Sequence, residues 1–179
     1  MLKIQKIKLD QEENVYDITV PGIASFFANN ILVHNCDEIS LFCDHEHTFT
    51  CVLSSPNVSK FKQFESRAVV YWSTIFLDCV ASDFIARGKK IPGLENAVRF
   101  TEKGRALGLG QCGFHTYLQQ NMIPFESFEA HMVSQQIAAH IDAESLRASR
   151  DLAIELGEPE WCVGTGLRNT HRIAIPPTK

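Results

Sequence analysis

The sequence has little of what an exported or membrane-borne chain needs. No apolar run reaches the ~20 residues that cross a bilayer as a helix. The start, MLKIQKIKLD, alternates and is charged, so it lacks the pattern of a signal peptide. Positive charge is also short: 17 Lys and Arg stand against 21 Asp and Glu, a formal net charge of −4. A general nucleic-acid binder carries a basic face, so no direct nucleic-acid contact and no membrane contact are expected. There is no internal repeat and no low-complexity stretch, and a composition 45% hydrophobic and 21% charged is globular. Six cysteines could frame a secreted mini-protein, but in 179 residues without an export signal they read as reduced thiols. The expected location is cytoplasmic.

What is present changes character at Asn35/Cys36. Before it, MLKIQKIKL alternates, VYDITV is β-branched and aromatic, and Pro21-Gly22 ends that run. SFFANNILV is two apolar runs around Asn29-Asn30, a pair suited to a tight turn. This section reads as short strands with no helix signal. Beyond it, residues 61–87 carry apolar side chains at three- and four-residue steps and predict one mostly buried helix stopped by Gly88. KKIPGLENA reads as a connector, and GFHTYLQQ as a helix bounded by Pro124. SFEAHMVSQQIAAHIDAESLRASRDLAIEL predicts a long helix with Ser127 as N-cap and Gly157 past its end. HRIAIPP reads as a short strand running into a proline turn.

The junction itself is reactive. Asn35 can attack its own carbonyl with its side-chain amide nitrogen, closing a succinimide and breaking the bond to Cys36. The adjacent His34 can donate a proton to the carbonyl oxygen or the departing nitrogen. Cys36 then offers a thiol that accepts an acyl group. Asn-Cys alone is a weak signal; His34-Asn35-Cys36 after an apolar strand is far more specific. Residues 15–36, VYDITVPGIASFFANNILVHNC, resemble the C-terminal splicing blocks of an intein. The resemblance implies that His34 assists, Asn35 cyclises, and Cys36 is the first residue of the joined product. Asp17 falls where the family often has an acidic residue near the site. Ala24-Ser25 stands where many inteins have a histidine before the FF pair. The chain begins at Met1 without the intein's N-terminal half, which implies a naturally split intein paired with a complementary N-terminal polypeptide.

The same Cys36 begins a second pattern. Cys36-x-Glu38 puts a thiol and a carboxylate on one face if the backbone is extended. The ordered set CDEISLF, CVLSSPNV, GRALGLGQCGFHTYLQ and RNTHRIAIPPT is similar to the large subunit of class I ribonucleotide reductase, over nearly all of residues 36–179. That resemblance implies a thiyl radical on Cys36, which takes the 3′ hydrogen of a ribonucleoside diphosphate. It makes Glu38 the base at the 3′ hydroxyl and Cys51 one of two cysteines that reduce the 2′ position. Pro177-Thr178 begin a loop that holds substrate phosphate. It further implies a metal-containing small subunit that supplies the radical, a thioredoxin or glutaredoxin that supplies electrons, and nucleotide effectors that bind elsewhere. No cofactor is expected in this chain.

The expected architecture is therefore a β-rich Hint/intein C-terminal segment, residues 1–35. A helix-rich α/β piece of the ten-stranded reductase barrel follows at residues 36–179. The rival class is a non-catalytic metal-binding or interaction module, from Cys43-x-His45-x-His47-x₃-Cys51. Two Cys and two His suit zinc, but the spacing is unusual and a polar hairpin is preferred. Gly108-Leu109-Gly110-Gln111-Cys112-Gly113 spells GxGxxG without the preceding strand a dinucleotide site needs, so close packing at a helix start is preferred. Cys79 and Cys112 read as inert core thiols in helical surroundings, and His115, His131 and His140 as ordinary helix residues. Arg168 or Arg172 could meet phosphate or be structural.

Overall fold

The structure, a computed structural model, describes residues 25–28, 31–34, 39–65 and 68–176. The chain divides into two compact units, Met1–Cys36 and Asp37–Lys179.

In the first unit, β1 (Ser25–Ala28) and β2 (Ile31–His34) pair antiparallel. Ala28 faces Ile31 and Ser25 faces His34, the two-residue spacing of a tight hairpin that the paired apolar runs predict. The strands read from MLKIQKIKL and VYDITV lie outside the described residues. A lone hairpin is marginal in water, so this pair needs further strands to be stable.

The second unit is built on a parallel pair, β3 (Val52–Ser54) and β4 (Leu107–Leu109), with Leu53 opposite Gly108. Parallel strands need covered faces. Leu107 and Leu109 are fully buried, and Val52 packs with them against Val58, Phe61, Val70, Leu77, Ile137 and Ile141. On its other edge β4 takes the 171–174 segment: the N–H of Leu107 donates to the His171 carbonyl at 2.9 Å and that of Leu109 to Arg172 at 3.0 Å. The expected strand in HRIAIPP thus reduces to one bridge, Leu109 to Ile173. Pro176, without an N–H, cannot extend the ladder.

The single helix expected over 61–87 is two. A short α1 (Phe61–Phe64) is separated from α2 (Val69–Gly88) by Ala68, whose φ of 51° is left-handed and breaks the helical path. Periodicity could not see the break because Phe61 and Val70 on either side enter the same core. Val70, Thr74, Leu77, Asp78 and Ala81 form the buried face of α2, leaving Trp72 and Phe76 exposed. By length and composition alone α2 could cross a membrane, contrary to the expectation that no such run exists. One face of it packs against β3, β4 and two further helices, with an ion-paired aspartate at its middle.

Those helices are α3 (Glu95–Gly104) and α5 (Phe128–Leu156), and α4 (Phe114–Gln120) lies between them in sequence. The last three residues of the expected connector KKIPGLENA belong to α3, whose Ala97, Val98, Phe100, Thr101 and Gly104 face inward. Gly104 is a close approach, since a Cβ there would lie 2.7 Å from Trp161 Cε3. The long helix begins as expected: the Ser127 hydroxyl accepts the Ala130 N–H at 3.1 Å, and Gly157 follows its end. Ser127→Ala is expected to cost about 1 kcal/mol in urea unfolding by removing this cap.

Candidate functional site at the open face of the parallel pair

The two faces of β3–β4 differ in kind. One carries Val52, Leu107 and Leu109 into the helix-side core. The other carries Leu53, Gly108 and the half-buried Cys51, whose sulfur lies over Gly108. Alternation along the strands produces this division, since successive residues point to opposite sides. This face holds the Cys51 thiol outside the apolar core.

At the C-terminal ends of the strands the chain is tightly laced. The Gly110 N–H donates to the Ser54 carbonyl at 2.8 Å, Cys112 N–H to Pro56 at 3.1 Å, and Val58 N–H to Cys112 at 2.8 Å. Gly110 backs onto the Pro176 ring, where a Cβ would lie 2.4 Å from Cδ, and Gly113 adopts φ 77° against Asn57 Oδ1. The GLGQCG stretch is thus close packing, with its first glycine inside the strand. A cavity of about 280 Å³ opens here, lined by Leu109, Gly110, Gln111, Ser134, Ala138 and Pro176 among others.

At the opposite ends of the strands sits a buried charge cluster that sequence reading missed. Asp78 of α2, 2% exposed, accepts Arg105 Nε at 2.8 Å and Nη2 at 2.9 Å. It also accepts Arg168 Nε at 3.1 Å and Asn169 Nδ2 at 2.9 Å. Burial pushes its carboxyl up, but the hydrogen bonds and charge of Arg105, joined by Arg168, outweigh burial and hold it below the usual carboxylate range. The available signal was an aspartate in the middle of the apolar run TIFLDCVA, since a buried acid demands a cationic partner.

The family model for the barrel domain of ribonucleotide reductase matches residues 28–165. The chain belongs to this reductase barrel family. It is 35% identical over 143 residues to the ribonucleoside-diphosphate reductase large subunit of Invertebrate iridescent virus 3, covering 79% of this chain and 22% of that protein. The corresponding subunit of Invertebrate iridescent virus 6 is 31% identical over 179 residues, covering 99% of this chain and 18% of its own length. Among solved structures, the class Id ribonucleotide reductase alpha subunit of Actinobacillus ureae superposes with a TM-score of 0.77 at 42% identity, over 79% of this chain and 27% of that one. The chain thus spans about a fifth to a quarter of these reductase relatives. A separate match of 36 residues, 53% identical, links a fifth of the chain to 4% of the replicative DNA helicase DnaB of a Nostoc species.

Within the reductase barrel piece, Cys51 is the expected site residue that lies among the described residues. Cys36, Glu38, Pro177 and Thr178 lie outside them, as do Asp17 and Asn35; His34 is seen as the last paired residue of β2. The zinc alternative is corrected: among the described residues no three Cys, His, Asp or Glu side chains gather as a metal site. His47 Nδ1 instead pairs with Asp44 at 3.0 Å, and Cys43 Sγ accepts the Phe49 N–H at 3.3 Å. Both candidate phosphate arginines are tied to the framework. Arg168 holds Asp78 and the carbonyls of Leu156 and Gly157, and Arg172 holds Asp142 at 2.9 Å and the Ser145 hydroxyl at 2.7 Å. Cys79 is exposed on α2, not in the core, and Cys112 sits in the loop before α4. Among the described residues the buried thiol is Cys162, whose pKa burial pushes up.

Proposed function

We propose that this chain is a splicing precursor whose product is part of a ribonucleoside-diphosphate reductase large subunit. The observation that carries the reductase half is the Cys51 thiol on the open face of β3–β4, in a chain of the reductase barrel family. In this reading Cys36, once made a thiyl radical by a separate small subunit, removes the 3′ hydrogen of a ribonucleoside diphosphate and returns it to the same carbon once the 2′ position is reduced, which restores the thiyl radical. Glu38 takes the 3′ hydroxyl proton. The 2′ hydroxyl leaves as water. Cys51 and a cysteine from outside this chain give up two electrons and two protons and end as a disulfide, which a thioredoxin or glutaredoxin reduces. Pro177 and Thr178 open the loop that holds the substrate phosphate. The fold expected for this part is the α/β barrel of the family, completed by polypeptide outside these residues.

The splicing half rests on the β1–β2 hairpin, whose last paired residue is His34, next in sequence to Asn35-Cys36. Two features of the relatives support it. The iridescent virus 6 subunit matches almost the whole chain, whereas that of virus 3 matches 79%. The helicase match, to a protein of unrelated activity, is as long as the unit Met1–Cys36. A short stretch shared with a protein of unrelated activity is what an inserted splicing element looks like. Its steps are transfer of the upstream acyl group to the Cys36 sulfur, which breaks its bond to the nucleophile of the N-terminal half and hands that nucleophile the Cys36 thiol proton, then attack of the Asn35 amide nitrogen on its own carbonyl. The bond to Cys36 breaks, a succinimide closes, and the proton reaches the departing amine with help from His34; that amine then takes the acyl group from the Cys36 sulfur, forming the peptide bond and freeing the thiol. Asp17 is the candidate acid nearby.

The test mixes the chain with a complementary N-terminal intein half bearing a marked upstream piece. Mass spectrometry is expected to show a ligated product whose new segment starts at Cys36. Two unligated chains after prolonged mixing would sink the splicing half and leave the reductase half standing.

A further inference from the structure

We infer that Gly108 is a positioning residue for the Cys51 thiol, the missing side chain at 108 being the seat on which the sulfur rests. The inference rests on the redox role proposed for Cys51 and deepens it. Gly108 is the central residue of β4 and faces Leu53 of β3 across the pair. Its neighbours Leu107 and Leu109 point into the helix-side core, so position 108 faces the open side. A Cβ there would lie 2.3 Å from Leu53 Cδ2, 2.7 Å from Cys51 Sγ and 3.0 Å from Ala174 Cβ. The backbone at Gly108 is not left-handed, so glycine is required for space and not for conformation. Ala174 has no torsion with which to retreat. Leu53 and Cys51 are the movable neighbours, and any side chain at 108 must displace them. A sulfur that must meet a second sulfur and a substrate carbon in turn needs a fixed place, since disulfide closure tolerates little misplacement. The bare strand supplies that place.

The experiment is site-resolved alkylation of the reduced full chain with iodoacetamide, read by peptide mass spectrometry. Exposed Cys43 and Cys79 serve as references and buried Cys162 reports on folding. Gly108→Ala is expected to push the sulfur outward and raise the Cys51 rate several-fold, with the other rates unchanged. Made in a Leu53→Ala background, where the nearest clash is gone and the sulfur contact remains, it is expected to give a similar rise over that parent. An unchanged Cys51 rate in the second background overturns the inference. A rise shared by Cys162 in both backgrounds makes Gly108 merely structural and overturns it equally. The redox role itself is read separately: Cys51→Ser in the assembled reductase is expected to stop multiple turnovers, whatever the alkylation rates show.

Discussion

Asp78→Ala is expected to destabilise the second unit by about 3–5 kcal/mol, a large share of the stability of a domain this size. The reason is not the loss of a favourable pair but what remains. Arg105, with a side chain 7% exposed, and Arg168, at 13%, keep their charges and lose the carboxylate between them. Two guanidiniums then stand in a low-dielectric site with only neutral acceptors nearby. Asn169 loses its Nδ2 acceptor on Asp78 and keeps the Arg105 carbonyl. Asp78→Asn keeps an acceptor but not the charge, and its cost is expected to fall between alanine and none. Urea unfolding followed by circular dichroism measures all three. The exposed pair Lys103–Glu160 is the contrast, since Glu160→Ala is expected to change stability by less than about 1 kcal/mol. Equal costs for the two acids would show that burial does not govern the Asp78 cluster.

The same cluster sets an acid dependence. The folded Asp78 carboxyl lies below its ordinary value of 3.8, so the folded state binds fewer protons than the unfolded chain in that region. Its contribution is fully present above about pH 4–5 and is lost as pH falls through the folded value. Acid unfolding of the wild-type chain is therefore expected to steepen below about pH 4, and Asp78→Ala to remove part of that slope.

Sequence pattern located what depends on local chemistry. The pairing of the two apolar runs as β1 and β2, the Ser127 cap and the Gly157 stop each follow from short-range pattern, and the structure bears them out; the turn expected at Asn29-Asn30 lies outside the described residues. What it missed depends on contacts distant in sequence. Ala68 adopts a left-handed backbone although nothing in its own chemistry asks for it; the helices on either side share one core, and the kink lets both reach it. Helix α3 begins inside the stretch KKIPGLENA, where Pro92 and Gly93 mask the start of its inward face of Ala97, Val98, Phe100, Thr101 and Gly104. Strand β4 is three residues long with a glycine at its centre, too short for any periodicity to register. The Asp78 cluster joins residues 27 and 90 positions apart, a separation no local pattern spans. Of the site, the cysteines were legible as reagents. Which face of the sheet holds Cys51, and why residue 108 is glycine, needed the strand register.

Two substitutions at the junction are expected to separate the two duties of the Cys36 sulfur. Asn35→Ala removes the nucleophile that cleaves the Asn35–Cys36 bond while leaving the acyl acceptor in place. The upstream piece should therefore still transfer to Cys36, and a branched species, with residues 1–35 still attached, should accumulate where the wild-type chain gives a linear product. Cys36→Ser keeps an acceptor of the same shape. A serine hydroxyl is a far weaker nucleophile at neutral pH than a thiol, so ligation is expected to fall at least tenfold. The small amount of joined product then contains an oxygen where the reductase chemistry needs a sulfur. An alkoxyl radical is much harder to generate than a thiyl radical, so that product, given the small subunit and a reductant, is expected to make no deoxynucleotide. Mass spectrometry of the junction peptide reads the first variant, and deoxynucleotide formation per ligated molecule reads the second. Release of residues 1–35 from Asn35→Ala would remove Asn35 from the cleavage step. Normal turnover by the serine product would remove Cys36 from the radical step, because one sulfur atom cannot be dispensable for a reaction it alone initiates.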